Sequence, residues 1–470
     1  ILIFTDLAQL SRTVTYFSPP KSVTTFLPFC SYLILHSPCC SREPMYKRLP
    51  TTFPRLQQYC HRTLTTKVSI SDVTPLQSKR VFVRADLNVP FDKEDPTSIS
   101  DDTRIRGALP TLQHLTDAGA RVVLASHLGR PKGQVNETMR LAPVAHRLAK
   151  YGIDVKTVSD CIGQAAEDAA DSLVDGQVLL LENTRFHPGE TDNDPEFAKA
   201  LAQVAKPDIY VNDAFGAAHR AHGSTAGIAK HAKVCAAGLL MDKELSFLEG
   251  AVNGGAVKRP LIAVIGGAKV SSKIAVIESL LDKTDRVLIG GGMMWTFIKA
   301  MGYETADSLV EEDCVDVARA TLRTAKSLGK EILLPVDAVV AASFSKDATH
   351  ETMDIDQLLG SSGMGLDIGP KTIDLFRTEV LNAGTVIWNG PMGVFEFDAF
   401  ATGTFAVANA LADMTDKGGI SIVGGGDSVA AIQASGLANK ISHISTGGGA
   451  SLELLEGKTL PGVDCLDDEK

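Results

Sequence analysis

Cysteine pairs, phosphate-loop signatures and long apolar runs are what this 470-residue chain lacks. None of its eight cysteines forms a Cys-x-x-Cys pair: Cys30, Cys39, Cys40 and Cys60 precede residue 68, and Cys161, Cys235, Cys314 and Cys465 stand singly. That spacing excludes a disulfide framework, speaks against a structural zinc and points to a reducing compartment. His350-Glu351 opens like a zinc-helix motif, but Asp354 stands where the second histidine belongs, so the segment reads as a loop. No Gly-x-x-x-x-Gly-Lys-Ser/Thr occurs, which excludes a P-loop enzyme. No Gly-x-Gly-x-x-Gly occurs either, because Trp295, Ile368, Val429 or Leu452 fills the last position of each candidate. A nicotinamide dehydrogenase is therefore disfavoured, and the absence of Gly-x-Ser-x-Gly removes the commonest α/β hydrolase reading. The apolar stretch from Phe26 to Leu35 is interrupted by Pro28 and too short to span a bilayer.

The net charge of -10 argues against a nucleic-acid partner. Residues 1–67 hold eight Lys or Arg against Asp6 and Glu43, so the remainder carries 38 basic against 54 acidic residues. A chain that acidic binds an anion only through a local pocket of arginines. From Met45 to Ile70 there are five basic residues, several threonines and no acid, the composition of an organellar transit peptide. Residues 1–67 are accordingly expected to be a leader. The part before Met45 is either upstream sequence translated in frame or a signal-like segment of a bipartite leader. The plastid stroma is favoured over the mitochondrial matrix, with the cytosol as the location if the leader is no transit peptide.

From about residue 80, β-branched apolar runs alternate with helical patterns, as in parallel sheets covered on both faces. Strands are expected at 81–87, 121–127, 177–183, 208–214 and 234–240, and again at 261–267, 286–292, 331–341, 385–391 and 420–426. Between the sets, 242–252 suits a helix, followed by Gly254, Gly255 and Pro260 as a breaker. The expected fold is α/β, two doubly wound Rossmann-like domains joined by a hinge helix. Their spans are 68–245 and 246–445, with 446–470 returning toward the first.

Most polar motifs fall at the carboxyl ends of these strands, where open α/β sheets bind ligands. In the first half Arg130, Arg185 and Arg220 follow three different strands, and Arg104 opens a helix after Asp101-Asp102. One arginine is an ordinary surface charge; several in one crevice repel one another unless a multiply charged anion sits there. His127 and His219 beside them read as hydrogen-bond donors. In the second half Lys269 and Lys273, four apart after a glycine turn, are expected on one face of a helix start, either meeting a phosphate or lying on the surface. Asp427 in VGGGDS either holds a magnesium ion or caps its helix.

The motifs VRADLNVP (83–90), SHLGRP (126–131), LLENTRFH (180–187), YVNDAFGAAHRAH (210–222), GGAKVSSK (266–273), IGGGM (289–293), MGLDIGP (364–370), WNGPMGVFE (388–396), GGGDS (424–428) and STGGGASLELLEGK (445–458) follow one another in an order that resembles the phosphoglycerate kinases, over about residue 68 to the end. GGGDSVAA and ISHISTGGGA resemble the plastid and cyanobacterial branch. The resemblance implies reversible, magnesium-dependent phosphoryl transfer between ATP and the carboxylate of 3-phosphoglycerate, by a monomer with no membrane or nucleic-acid partner. It implies that Asp86, Leu87, Asn88, Arg104, His127, Leu128, Gly129, Arg130, Arg185 and Arg220 bind the acid. By the same resemblance Gly267, Ala268, Lys269, Lys273, Gly291, Gly365, Asn389, Pro391, Glu396, Gly425, Gly426, Asp427 and Ser428 bind the nucleotide, with Glu396 toward the ribose and Asp427 toward Mg2+. Arg104, Lys269, Lys273 and Gly448 would serve the transfer itself. Two departures stand out: Ser428 replaces a frequent threonine, and Gly363 replaces a tryptophan usual before MGLD.

The implied chemistry suits what is missing. A carboxylate attacks without a base, so an enzyme has mainly to neutralise two anions and spread charge on the transferred group. The acyl phosphate is readily lost to water, so the lobes are expected to close first. The competing readings are a dehydrogenase and a catalytically inactive phosphoglycerate-kinase-like binding protein.

Overall fold

The computed structural model describes residues 67–92, 94–95, 98–253 and 257–469. All of the expected leader except Lys67 lies outside these residues. Two six-stranded sheets organise the chain. The first contains β1 (Arg80–Ala85), β2 (Arg121–Ala125), β3 (Val155–Thr157), β4 (Val178–Leu180), β5 (Ile209–Asp213) and β6 (Val234–Ala237), in the order β3-β4-β2-β1-β5-β6. All its pairs are parallel, with Val81 opposite both Val122 and Ile209. Its central strands are buried along nearly their whole length, which is why they read as continuous β-branched runs without alternation.

The second sheet contains β7 (Leu261–Ile265), β8 (Arg286–Ile289), β9 (Glu331–Leu333), β13 (Thr385–Asn389), β14 (Ile420–Gly424) and β15 (His443–Ile444), in the order β15-β14-β13-β7-β8-β9 and again all parallel. The fold is therefore α/β with two doubly wound parallel sheets, as expected. In each sheet the chain winds outward to one side and then returns to the other. The switch lies between β1 and β5 in the first and between β7 and β13 in the second. At such points neighbouring loops part and open a crevice at the carboxyl ends of the strands.

A third, antiparallel sheet departs from the sequence reading. It joins β10 (Asp337–Ala341), β11 (His350–Asp354) and β12 (Met364–Ile368), in the order β11-β10-β12. The expected single strand 331–341 is thus two strands of different sheets. Pro335 separates them, since it offers no ladder donor and holds Leu334 extended; Val336 N and Asp337 N then donate to Thr372 Oγ1 at 3.0 and 3.2 Å. His350-Glu351, read as a loop, begins β11, where Ala341 pairs with His350.

The helix between the sheets, expected at 242–252, runs over Leu239–Asn253. Its start is fixed to the first sheet by Asp213 at the end of β5, whose Oδ1 accepts from Leu240 N and Met241 N at 2.9 and 3.2 Å. A Cβ on Gly238 would overlap that carboxylate, so only glycine lets the helix approach. Farther along, buried Glu244 accepts from His443 Nε2 at 2.8 Å and Thr446 N at 2.6 Å in the second lobe. One helix therefore carries polar anchors to both sheets. After Thr459 the chain crosses back to the first sheet. There Asn212 Nδ2 donates to Gly462 O at 2.8 Å, Val68 N donates to Asp467 O at 2.9 Å, and Leu460, Val463 and Leu466 are buried. Among the described residues no helix is long and apolar enough to cross a membrane.

Candidate active site

The first half-site forms where β1, β2, β4 and β5 end. Arg84, inside β1 between apolar neighbours, is fully buried. It donates to Ser224 Oγ at 2.8 Å, to Ala85 O and to His127 Nδ1 at 2.9 Å. Arginine has only donors, so His127 Nδ1 must accept and its hydrogen sits on Nε2. Burial, with Arg84, Arg185 and Arg104 nearby, holds the His127 pKa well below the usual histidine range. His127 is thus a neutral donor.

Asp86 and Asn88 follow β1. Arg104, in the first turn of the helix Thr103–Asp117, donates from Nη1 to Asp86 Oδ1 at 3.1 Å and to Asn88 O at 2.9 Å. Asn88 Oδ1 accepts from Gly129 N at 2.8 Å, and Gly129 O accepts from Arg185 Nη1 at 2.9 Å. Gly129 has φ +62°, and a Cβ there would stand 2.8 Å from Met139 Sδ. Leu87 N donates to Ser126 Oγ, and Leu128 N to Asn183 Oδ1, so both leucines are buried supports for their loops. Among the described residues Arg185 Nε is buried without a hydrogen-bond partner, as are Nδ1 of His219 and of His222. Burial and the surrounding arginines lower the Arg185 pKa, and burial brings that of His222 to about 4. Arg130 and Arg220 are exposed. The arrangement is a set of donors and cations short of acceptors, which an anion of more than one charge would satisfy.

The second half-site forms at the ends of β7, β8, β13 and β14, where three loops interlock. Gly267 N donates to Pro391 O at 3.0 Å, Gly291 N to Met392 O at 3.0 Å and Met293 N to Gly267 O at 2.9 Å. A Cβ on Gly266 or Gly390 would overlap backbone of the facing loop, whereas one on Gly426 or Gly448 would meet nothing. Close packing accounts for the first pair and leaves the second pair bordering open space. Lys273 Nζ donates to Asn389 Oδ1 at the end of β13, and burial lowers its pKa against the pull of Asp427 and Glu456. Asp427 lies in the first turn of the helix Gly426–Ser435 and stays exposed, and among the described residues its side chain accepts no hydrogen bond. Ser428 Oγ accepts from Gly390 N at 2.6 Å, which joins the β13 and β14 loops. Gly425, φ +88°, brings the backbone against Asn389.

The sequence profile of the phosphoglycerate kinases matches residues 70–458. The chain belongs to the phosphoglycerate kinase family. It is 56% identical to the chloroplastic phosphoglycerate kinase of Volvox carteri over 406 residues, 86% of this chain and 87% of that one. It is 57% identical to the phosphoglycerate kinase of Acaryochloris marina, covering 86% of this chain and 100% of the relative. The solved phosphoglycerate kinase structure from Coxiella burnetii superposes with a TM-score of 0.76 at 41% identity, covering 85% and 98% of the two chains. By family the chain is therefore an enzyme of the kinase class.

Within that family frame, the predicted residues separate by what surrounds them. Asp86, Asn88, Arg104, Gly129, Arg185 and His127 gather in one hydrogen-bonded or electrostatically coupled group, and so do Lys273, Asn389, Gly425 and Asp427 in the other. The expectation that Lys269 and Lys273 share a helix face is corrected. Lys269 precedes the 3-10 turn Val270–Ser272, the α-helix starts only at Ile274, and Lys269 and Ala268 are exposed. A 3-10 turn advances three residues per turn, which moves a residue four away to another face. Gly365 has a packing reason, since a Cβ there would overlap the Trp295 ring, and its carbonyl accepts from Trp295 Nε1 at 3.2 Å. Glu396 is exposed; the loop that carries it is tied to β12 by Val394 N donating to Leu366 O at 2.8 Å. Gly363 has φ +102°, and a Cβ would stand 2.7 Å from Ala341 O, so this backbone excludes the tryptophan usual there.

Sequence reasoning missed Arg84, Glu190, His222 and Ser224. Glu190 is fully buried and accepts from Ser224 N at 2.9 Å, Ser224 Oγ at 2.6 Å and Thr184 Oγ1 at 3.1 Å. The available signal was a charged residue inside an otherwise apolar strand, Arg84 between Val83 and Ala85.

Proposed function

We propose that the two half-sites serve one direct transfer of a phosphoryl group between ATP and the carboxylate of 3-phosphoglycerate, giving ADP and 1,3-bisphosphoglycerate, once the lobes close. The observation that carries this reading is their approach across the lobes. A Cβ on Gly216 would stand 2.7 Å from Asp86 Oδ2 and 3.5 Å from Thr446 O, while one on Gly449 would stand 3.6 Å from His219 Nε2. The acid's grip and the Thr446–Gly449 segment of the nucleotide lobe are therefore neighbours.

In this reading Arg185, Arg130, Arg220 and the Nε2–H of His127 hold the acid, with Asp86 and Asn88 fixing its orientation. Arg104 uses Nη1 on Asp86 and Asn88, so its remaining N–H groups face the anion and spread charge as the phosphoryl group moves. Lys273, positioned by Asn389, neutralises the same group from the nucleotide side, with Lys269 and Gly448 at its border. Gly267, Ala268, Gly291, Gly365, Pro391, Glu396, Gly425, Gly426 and Ser428 bed the nucleotide. Asp427 fits a magnesium ion, because it is an exposed, uncapping carboxylate and Mg2+ takes one or two carboxylates plus phosphate oxygens. When bound there, Mg2+ neutralises phosphate charge.

The hinge would lie along Leu239–Asn253, between lobes of 68–245 and 246–445, with 446–470 belonging partly to each. A place in the plastid stroma fits the chloroplastic and cyanobacterial relatives and the basic, acid-free stretch 45–70, and the proposed working unit is a monomer. The deciding assay is ATP consumption by the purified chain with 3-phosphoglycerate and Mg2+. Turnover dependent on both substrates is expected, and its absence in a folded preparation rejects the reading.

A further inference from the structure

We infer that Asp160, Cys161 and His187 form a zinc-binding site in the first lobe, independent of the transfer chemistry. Asp160 and Cys161 lie in the loop after β3, and His187 lies in the loop after β4. These two strands pair in parallel, Thr157 opposite Leu180, so their loops leave the sheet side by side. A carboxylate oxygen, the Cys161 Sγ and a ring nitrogen of His187 all lie within 4.8 Å of one another. No Cys-x-x-Cys spacing announces the site, because its ligands come from two strands rather than one turn.

The surroundings favour a metal over an accidental cluster. Cys161 is fully buried, and its sulfur lies beside the Asp160 carboxylate. A buried cysteine can serve as a small apolar filler, but this one faces an oxygen and a nitrogen donor. His187 Nε2 lies 2.7 Å from Asp160 Oδ1, and its ring stacks on Phe197 with centroids 5.5 Å apart, which fixes the direction of its donor atom. The Asp160 side chain is 48% exposed, so an ion has a path in and water can supply a fourth ligand.

Sulfur, nitrogen and oxygen donors together match tetrahedral zinc, with bonds of about 2.0–2.3 Å. Magnesium, which takes oxygen ligands, does not suit them. Ligand atoms now up to 4.8 Å apart close to tetrahedral spacing with shifts of roughly 1 Å. On binding, the Cys161 S–H bond breaks and its proton leaves to solvent as the S–Zn bond forms. The hydrogen on His187 Nε2 passes through solvent to Nδ1, so the freed lone pair and the Asp160 oxygen exchange their hydrogen bond for two metal bonds. No electrons are transferred.

The test needs no catalytic assay. The full chain is equilibrated with zinc in the presence of excess Mg2+, and bound metal is measured directly. One zinc per chain is expected at this site, with Cys161→Ser and His187→Gln each weakening it on the order of 100-fold or more, beyond the 10–100-fold typical of an outer partner. Cys314→Ser should change nothing. Cobalt in place of zinc should give a thiolate-to-metal charge-transfer band that Cys161→Ser abolishes. Failure to bind zinc overturns the site, as does unchanged affinity in His187→Gln or a band that survives in Cys161→Ser. If Cys161→Ser does not fold, His187→Gln decides alone, since that ring is partly exposed.

Discussion

Arg104 and Lys273 show how one side chain's role follows from what holds it. Arg104 is oriented by Asp86 Oδ1 and Asn88 O through a single nitrogen, so removing it should leave the acid's other donors in place. Arg104→Ala should lose mainly turnover, by roughly 3 kcal/mol of transition-state stabilisation or more; steady-state kinetics with an unchanged kcat would contradict that role. Lys273→Ala should likewise lower kcat more than nucleotide affinity, and a loss confined to KM would make it a binding residue only. The role of Lys273 was not readable from the pattern of two lysines four apart, because the intervening 3-10 turn separates them. Arg84 was equally hidden. Its use as the donor that sets the His127 tautomer depends on Ser224 and His127, 140 and 43 residues away.

At the scale of elements, two buried carboxylates fasten helices to strands. Asp213 begins the connecting helix and is pushed up to about 6 by burial, against the hydrogen bonds it accepts. Gly238→Ala should destabilise the protein by about 1–3 kcal/mol, the usual range for overpacking, measured by urea unfolding; a neutral result would show that Asp213 can yield. Asp367 ends β12 and accepts from Gly403 N at 2.7 Å, near the start of the helix Thr402–Asp416, and from Ile368 N at 2.9 Å. Burial pushes its pKa up to about 7. The unfolded carboxyl titrates near 3.8, so between these values the folded state holds the extra proton. Stability from Asp367 is therefore greatest at low pH and declines as pH rises toward 7. The stability gap between the wild type and Asp367→Ala should shrink over that interval and flatten above it. A gap that widens with pH would reverse the assignment. The strands themselves were legible, since continuous β-branched runs bounded by glycine leave little choice. The antiparallel β10–β12 sheet was not, because β11 is largely exposed and polar and β12 opens half-buried with Gly365 inside it.

At the scale of the whole molecule, the last residues belong to the first sheet. Leu460, Val463 and Leu466 are buried, and Lys67 Nζ pairs with Asp468 at 2.6 Å. Truncation after Lys458 should cost on the order of 5 kcal/mol from three apolar side chains, less what a compact unfolded chain already buries. Hydrogen exchange should rise first in β5 and β6; exchange rising first in the second lobe would show that the tail supports the wrong sheet. The amino-acid order by itself determined the two parallel sheets and the family, because these are local: a strand's hydrophobic run, a glycine loop and the motif that follows it are contiguous. Only the tertiary structure decided that Lys269 and Lys273 part company, that Asp427 caps nothing, that Gly363 admits no side chain, and that Asp160, Cys161 and His187 meet. Each of these depends on atoms brought together by strand pairing and chain return, and hydrophobic period and motif spacing carry no record of such distances.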